Sequence, residues 1–253
     1  MDLAHEAGGE ARLVILGLGA SASCFVRKAR SYFSHITGTV RTSEKAEHLS
    51  KELAIDVVGF DGVSASPCLG SRLARATHLL SSVPPDGQSD PALQFVCANA
   101  KDLIELRWLG YLSSISVYGD QDGAWVDETV QPQPISERGR HRLKAEDGWL
   151  DLAERLGIPL QIFRLSGIYG PHSNQIEAVR NGTARPVVKP GQVFNRIHVE
   201  DIAGAVFAAL QRPHIGPIVN VSDDEPAPPQ DITSYAARLL GVSPPPVVPF
   251  SEA

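Results

Sequence analysis

Two neighbouring segments carry the residues most able to do chemistry. YLSSISVYGD, residues 111–120, reads as a buried strand that ends in hydroxyls, and SERGRHRLKAE, residues 136–146, reads as a helix start crowded with bases. Arg138 can stabilise an oxyanion, but a guanidinium stays protonated and cannot act as a neutral base at ordinary pH. Histidine is the side chain suited to exchanging a proton at ordinary pH, and His141 lies three residues from Arg138, on a neighbouring helix face. Arg138 and Arg142 share one face by their i,i+4 spacing and repel each other. Cations are also unfavourable in the first turns of a helix. An anion would offset both effects: Asp127 or Glu128, a substrate carboxylate or phosphate, or a cofactor. The spacing therefore supports a clamp of Arg138 and Arg142 at a cleft mouth. A solvated basic patch paired with Glu137 and Glu146 accounts for the same residues.

A second constellation lies near the start of the chain. LVILGLGASAS, residues 13–23, places Gly17, Gly19, Ser21 and Ala22 where a strand turns into a helix. Gly17 permits the tight turn, Gly19 lets backbone approach a pyrophosphate, and Ala22 is small enough for close helix–strand packing. The helix N-terminus then offers free N–H groups to phosphate. The next strand ends in TVRTSEK, residues 39–45, with Arg41 and Thr42 where an NAD protein usually places Asp or Glu. A guanidinium can grip a 2′-phosphate bidentately, so NADP is the expected cofactor and NAD the alternative. SSVPP, residues 81–85, puts Ser82 and Pro84 on the loop expected to pass the adenine ribose.

These residues need a frame. Apolar runs at Arg12–Leu18, Ile36–Arg41, Asp56–Phe60, His78–Val83, Leu109–Ser113 and Leu160–Leu165 alternate with helical patterns at Ala22–Phe33, Ser43–Leu53, Pro91–Leu106 and Ser136–Leu156. Several runs are continuously apolar, as parallel strands covered on both faces should be. The alternation predicts right-handed βαβ units and a doubly wound α/β sheet. Beyond Ile168 prolines and glycines multiply and the elements shorten. Helices are expected at Val199–Gln211 and Gln230–Leu240, a strand at Ile218–Val221, and an extended polyproline-like stretch at PPPVVP, residues 244–249. The division read from this is a flexible N-terminus over 1–11, a dinucleotide-binding domain over 12–168, and a smaller substrate lobe over 169–253, partly packed on the sheet.

Composition narrows the class. The 253 residues carry a net charge of −6, which argues against nucleic acid or an anionic membrane as partner. No apolar run approaches the ~20 residues of a membrane span, and MDLAHEAGGEA is no secretory signal. Cys24, Cys68 and Cys97 are scattered and form no metal motif, so reduced thiols in the cytoplasm and no metal site are expected. DDEP, residues 223–226, reads as a turn and helix lead-in, and His172 as a loop residue, either near the substrate or simply exposed.

With these motifs in view, the chain resembles an extended or atypical short-chain dehydrogenase/reductase of the NAD-dependent epimerase/dehydratase kind. The resemblance rests on LGLGASA, YLSSISVYGD, FRLSGIYGP (163–171), RIHVEDIAGAVFAAL (196–210) and VNVSDDEPA (219–227). It implies a Rossmann-type sheet, an NAD(P)-dependent oxidoreductase or epimerase, a small-molecule substrate and a homodimer. It assigns Ser114 to a substrate oxygen, Ser166 and Gly167 to the loop passing the nicotinamide, and Glu128 to an acidic position near the site. It also exposes a departure. Family members carry Tyr and Lys where this chain has Arg138 and Arg142, while Gly139 and Glu146 fit. The active site is therefore expected to be atypical, with Ser114, Arg138, His141 and Arg142 as its catalytic candidates. A non-catalytic dinucleotide-binding sensor or regulatory protein is the alternative.

Overall fold

The computed structural model describes residues 10–87, 89–171, 173–213 and 216–252. The sequence calls on His172 and on most of the N-terminal lead-in lie outside them. The first half alternates strictly: β1 (Arg12–Leu16), α1 (Ala20–Ala29), β2 (His35–Val40), α2 (Ser43–Leu53), β3 (Asp56–Gly59), α3 (Leu69–Ala74), β4 (His78–Ser81), α4 (Pro91–Ala98) and β5 (Trp108–Ser114). Then come α5 (Glu137–Leu156), β6 (Leu160–Leu165), β7 (Gly167–Tyr169), α6 (Gln175–Arg180), β8 (Val187–Val188) and β9 (Arg196–His198). The chain ends with α7 (Val199–Leu210), β10 (Ile218–Val221), α8 (Pro229–Leu240) and β11 (Val248–Pro249).

Seven strands form one parallel sheet in the order β10-β6-β5-β4-β1-β2-β3. It is the doubly wound sheet that the alternation predicts, of the Rossmann type that the resemblance implies. Strand order reverses between β1 and β4, and the crevice at such a switch point is where open α/β sheets bind ligands. Apolar side chains pack both faces. Phe25, Val26, Ile202 and Val206 cover one with α1 and α7, and Leu69, Val96, Trp149 and Leu152 cover the other with α3, α4 and α5. The predicted strand at Ile218–Val221 is β10, which pairs with β6 at the sheet edge. Part of the C-terminal third thus returns to the main sheet.

Short polar residues start the helices that matter here. The Thr42 hydroxyl accepts Lys45 N–H at 3.3 Å, the Asp90 carboxylate accepts Leu93 N–H at 3.0 Å, and Ser136 Oγ accepts Gly139 N–H at 3.0 Å, each satisfying a donor the helix cannot. Gly157 ends α5 at φ +67°. Two sequence expectations are corrected. The first helix runs from Ala20 to Ala29 rather than Ala22 to Phe33, because Gly19 is its N-cap. The Pro91–Leu106 helix stops at Ala98: Asn99 Nδ2 donates to Phe95 O at 2.8 Å, and a 3₁₀ turn over Ala100–Asp102 follows. In the predicted polyproline stretch, Val248–Pro249 pairs with Val187–Val188. Among the described residues no helix is long and apolar enough to cross a membrane.

His78 makes stability depend on pH. Its ring lies among Tyr32, Phe33 and Trp108, with Nδ1 2.7 Å from Thr77 Oγ1. Burial, helped by the Arg107 charge, pulls its pKa from 6.5 down to about 4. Between those values the unfolded chain binds the proton and the folded one does not. His78 therefore costs nothing above pH 6.5, and stability falls as pH drops from there toward 4, by at most roughly 3 kcal/mol. Urea unfolding at pH 7 and pH 4.5 should show a smaller pH effect in His78→Asn than in the unaltered protein. Equal effects would contradict this account.

Candidate functional site

The turn after β1 is built around two glycines with different tasks. Gly17 sits at φ +86°, and a Cβ there would lie 3.0 Å from Val83 Cγ2 and 3.1 Å from Val83 N. Its N–H donates to Thr39 Oγ1 at 2.9 Å and its carbonyl accepts Ser82 Oγ–H at 2.5 Å, which ties the turn to β2 and β4. Gly19 is otherwise: φ is −91°, and a Cβ would meet no atom within 4 Å. Neither backbone strain nor packing asks for glycine there. The residue leaves space at the N-terminus of α1, whose first turn has no acidic residue and no side-chain cap. Open donors and a missing Cβ form a cradle that suits an anion. Ala22 is fully buried beneath it.

The cradle opens into a cleft of about 770 Å³ at the switch point. Gly17, Gly19, Arg41, Thr42, Ser82 and Pro84 all line it, so six of the residues expected to hold the cofactor share one wall. Sequence reasoning missed two parts of it. Lys45, on the first turn of α2, adds a second cation beside Arg41, and the Asp61–Val63 turn closes the far side. Asp61 accepts Val63 and Ser64 N–H at 2.9 and 2.7 Å; the Ser64 bond first, then that of Val63, holds its carboxyl below the usual range. The Asp-Gly pair at 61–62 after a strand was the readable signal for this turn. Ser21 does not line the cleft.

At the carboxyl end of β5, Ser114 is half-buried and its Oγ accepts Ser116 N–H at 3.2 Å. The first turn of α5 rests on this segment: a Cβ on Gly139 would lie 2.7 Å from Ser116 O, so only glycine fits. Arg138 is therefore carried beside the Ser114 loop, exposed to solvent. His141 lies against Gly87 of the loop after β4, and its Nε2 is 3.9 Å from Glu137.

Arg142 overturns the expected clamp. Its guanidinium is buried rather than at a cleft mouth, and Nη1 donates to Tyr111 Oη at 3.0 Å and to Leu112 O at 2.9 Å. It falls on the inward stripe of α5 with Gly139, Ala145 and Trp149, and the end of β5 supplies the acceptors its charge requires. Trp149 stacks on Tyr111 and donates to Asp90 at 2.9 Å. Burial raises the Asp90 pKa, and the Arg142 charge works against that rise. The same helix buries Glu146, which pairs with Arg164 of β6 at 2.7 Å and accepts Ser113 Oγ–H at 2.5 Å.

A second cavity, of about 820 Å³, lies between the end of β5 and the C-terminal elements. Ile115, the residue after Ser114, forms its floor, with β7, α6, β9 and α8 around it. Gly167 lines this cavity, and a Cβ there would lie 3.1 Å from Asn195 O. Ser166 is buried, and its Oγ has no partner among the described residues. Glu128 accepts Asn220 N–H at 2.7 Å, which fastens the loop after β5 to β10.

A sequence model of the NAD dependent epimerase/dehydratase family matches residues 96–222. The chain belongs to that family. YeeZ of Escherichia coli K12 is 34% identical over 171 residues, which are 64% of this chain and 58% of YeeZ; the chain thus spans a little over half of that relative. A solved protein of unknown function from Silicibacter pomeroyi is 41% identical, with a TM-score of 0.84 over 96% of this chain and 83% of its own. UDP-glucuronic acid 4-epimerase from Bacillus cereus, solved with NAD, has the same fold at 20% identity, with a TM-score of 0.75 over 94% of this chain and 87% of its own. In this epimerase/dehydratase family member, then, a glycine turn opens on the switch-point cleft, while the helix that follows Ser114 offers Arg138 and His141 to its surroundings and turns Arg142 inward.

Proposed function

We propose that this family member binds a nicotinamide dinucleotide across the N-terminus of α1, with NADP preferred, and acts on a small molecule held beside Ser114. The observation that carries the reading is Gly19, whose absent side chain serves neither packing nor conformation yet keeps the helix N-terminus open at the switch point. The preference for NADP is supported by Arg41 and Lys45 on one wall of the cleft, where two cations suit a 2′-phosphate. The dinucleotide would supply hydride acceptance and donation. The chain would do the rest. Ser114 Oγ, already accepting from Ser116, would donate a hydrogen bond to a substrate oxygen, which loses or gains a proton as hydride leaves or arrives. Arg138 would stabilise negative charge on that oxygen without giving up a proton, and the proton would pass through water or His141.

Calorimetric titration tests this first. NADPH is expected to bind at least tenfold tighter than NADH, about 1.4 kcal/mol. Arg41→Ala with Lys45→Ala should bring the two affinities together by weakening NADPH alone. Equal loss for both dinucleotides would remove the 2′-phosphate assignment, and no binding of either would remove the reading itself.

The burial of Arg142 supports one other reading, a dinucleotide-binding sensor without turnover, since that cation is committed to Tyr111 and Leu112. NADPH oxidation against a panel of aldehydes and ketones separates the two. Turnover lost in Ser114→Ala marks an enzyme, and tight binding without any turnover marks the sensor.

A further inference from the structure

We infer that the cavity beside Ile115 takes an uncharged carbonyl compound or alcohol with an apolar flank, and not a phosphate-bearing sugar nucleotide. The inference rests on the reading of that cavity as the substrate site. Twelve large apolar side chains are notably exposed among the described residues, and four of them, Ile168, Val193, Phe194 and Tyr235, line this one cavity at 41–53% exposure. Such clustering marks a binding surface, whereas single exposed apolar residues do not. The polar groups on the wall are largely engaged with the protein. Asn174 Nδ2 donates to Gly170 O and its Oδ1 accepts Glu177 N–H. Gln175 Nε2 donates to Thr233 Oγ1 at 2.9 Å. Arg196 directs Nη1 at the carbonyls of Phe194 and Ala227, at 3.0 and 3.1 Å.

Charge points the same way. Among the described lining residues Arg196 is the one cation, against the carboxylates of Asp223 and Glu225. Burial first, then a hydrogen bond to Asp223 and the charges of Asp223 and Asp201, holds the Tyr169 phenol above the ordinary pKa. A diphosphate brought here would lose water and meet two carboxylates with one already engaged guanidinium to answer them. A neutral ligand with a ring or branched alkyl end would instead cover the exposed side chains of Phe194 and Tyr235, and its oxygen would reach toward Ser114.

Calorimetry on the whole protein without added dinucleotide tests this, using 4-phenylbutan-2-one, UDP and UDP-glucose as probes. The ketone is expected to bind with a Kd below about 1 mM and to lose roughly fivefold or more in Phe194→Ala, while UDP and UDP-glucose give no saturable binding at that concentration. Tighter binding of UDP or UDP-glucose than of the ketone overturns the inference. So does a ketone that fails to bind, or one that binds Phe194→Ala as well as the unaltered protein. Because dinucleotide is left out, the contrast is read independently of whether NADPH binds, and a failure of the cofactor reading is seen separately in the NADPH titration.

Discussion

Gly19→Val is expected to weaken NADPH binding by about a hundredfold or more, near 2.7 kcal/mol, while leaving the thermal midpoint within roughly 3 °C of the unaltered protein. The two halves of that result have separate causes. A side chain at position 19 meets no protein atom, and the backbone there is compatible with any residue. The stability terms are small and opposed: valine is a poorer N-cap than glycine, but it restricts the unfolded chain. The added methyls would occupy the space where a pyrophosphate must approach the N–H groups of α1. Gly17→Ala supplies the contrast. At φ +86° with Val83 3.0 Å away, alanine costs about 1–3 kcal/mol in strain alone, so binding and stability should fall together. If Gly19→Val binds NADPH as tightly as the unaltered protein, the dinucleotide does not lie on α1 and the proposed function fails with it.

Glu146→Leu is expected to be the most destabilising single change in the site's support. Glu146 and Arg164 are both nearly inaccessible, at 1% and 2% exposure. Arg164 Nη2 and Nε reach the carboxylate at 2.7 and 3.2 Å, its guanidinium lies 4.7 Å from the centre of the Tyr118 ring, and Nη1 has no partner among the described residues. Burial acts against the Arg164 charge, but Glu146 and Tyr118 together outweigh it and keep the pKa above the ordinary value. Removing the carboxylate leaves a buried guanidinium without its counter-ion, which costs about 3–5 kcal/mol and lowers the midpoint by roughly 10 °C in a domain of this size. The double change Glu146→Leu with Arg164→Met should regain most of that, because replacing a whole buried pair by apolar groups is often neutral. A single-variant loss below about 1 kcal/mol would mean that the pair contributes little beyond a surface one.

The sheet was legible in the sequence because its signals are local. A continuous apolar run such as LVIL of β1 has no other place to go than a strand covered on both faces, and mostly apolar runs such as LQIFRL follow it into the sheet. The glycine turn between β1 and α1 was legible for the same reason. What escaped was the part defined by distant partners. Strands β7 and β9 are three residues each and pair across almost thirty intervening positions, so neither carries a period of its own. Helices α3 and α6 have six residues, too few for a face to show. Arg142 reads as a surface cation until Tyr111 and Leu112 O are brought beneath it. Lys45 and Asp61 join the cleft only because β2 and β3 end side by side. The cavity beside Ile115 gathers residues from β7, α6, β9 and α8, and no stretch of sequence contains it.

The place of β10 has a consequence for how the chain is made. The sheet is not closed on its β6 side until Ile218–Val221 docks, although β6 itself is complete at Leu165 and lies buried along its whole length. Throughout synthesis of the intervening segment, β6 therefore offers a bare, apolar edge to any passing strand, the hazard that open edges pose. A fragment released at the apparent lobe boundary after residue 168 would keep that edge for good, and is expected to aggregate instead of surviving as a nucleotide-binding module.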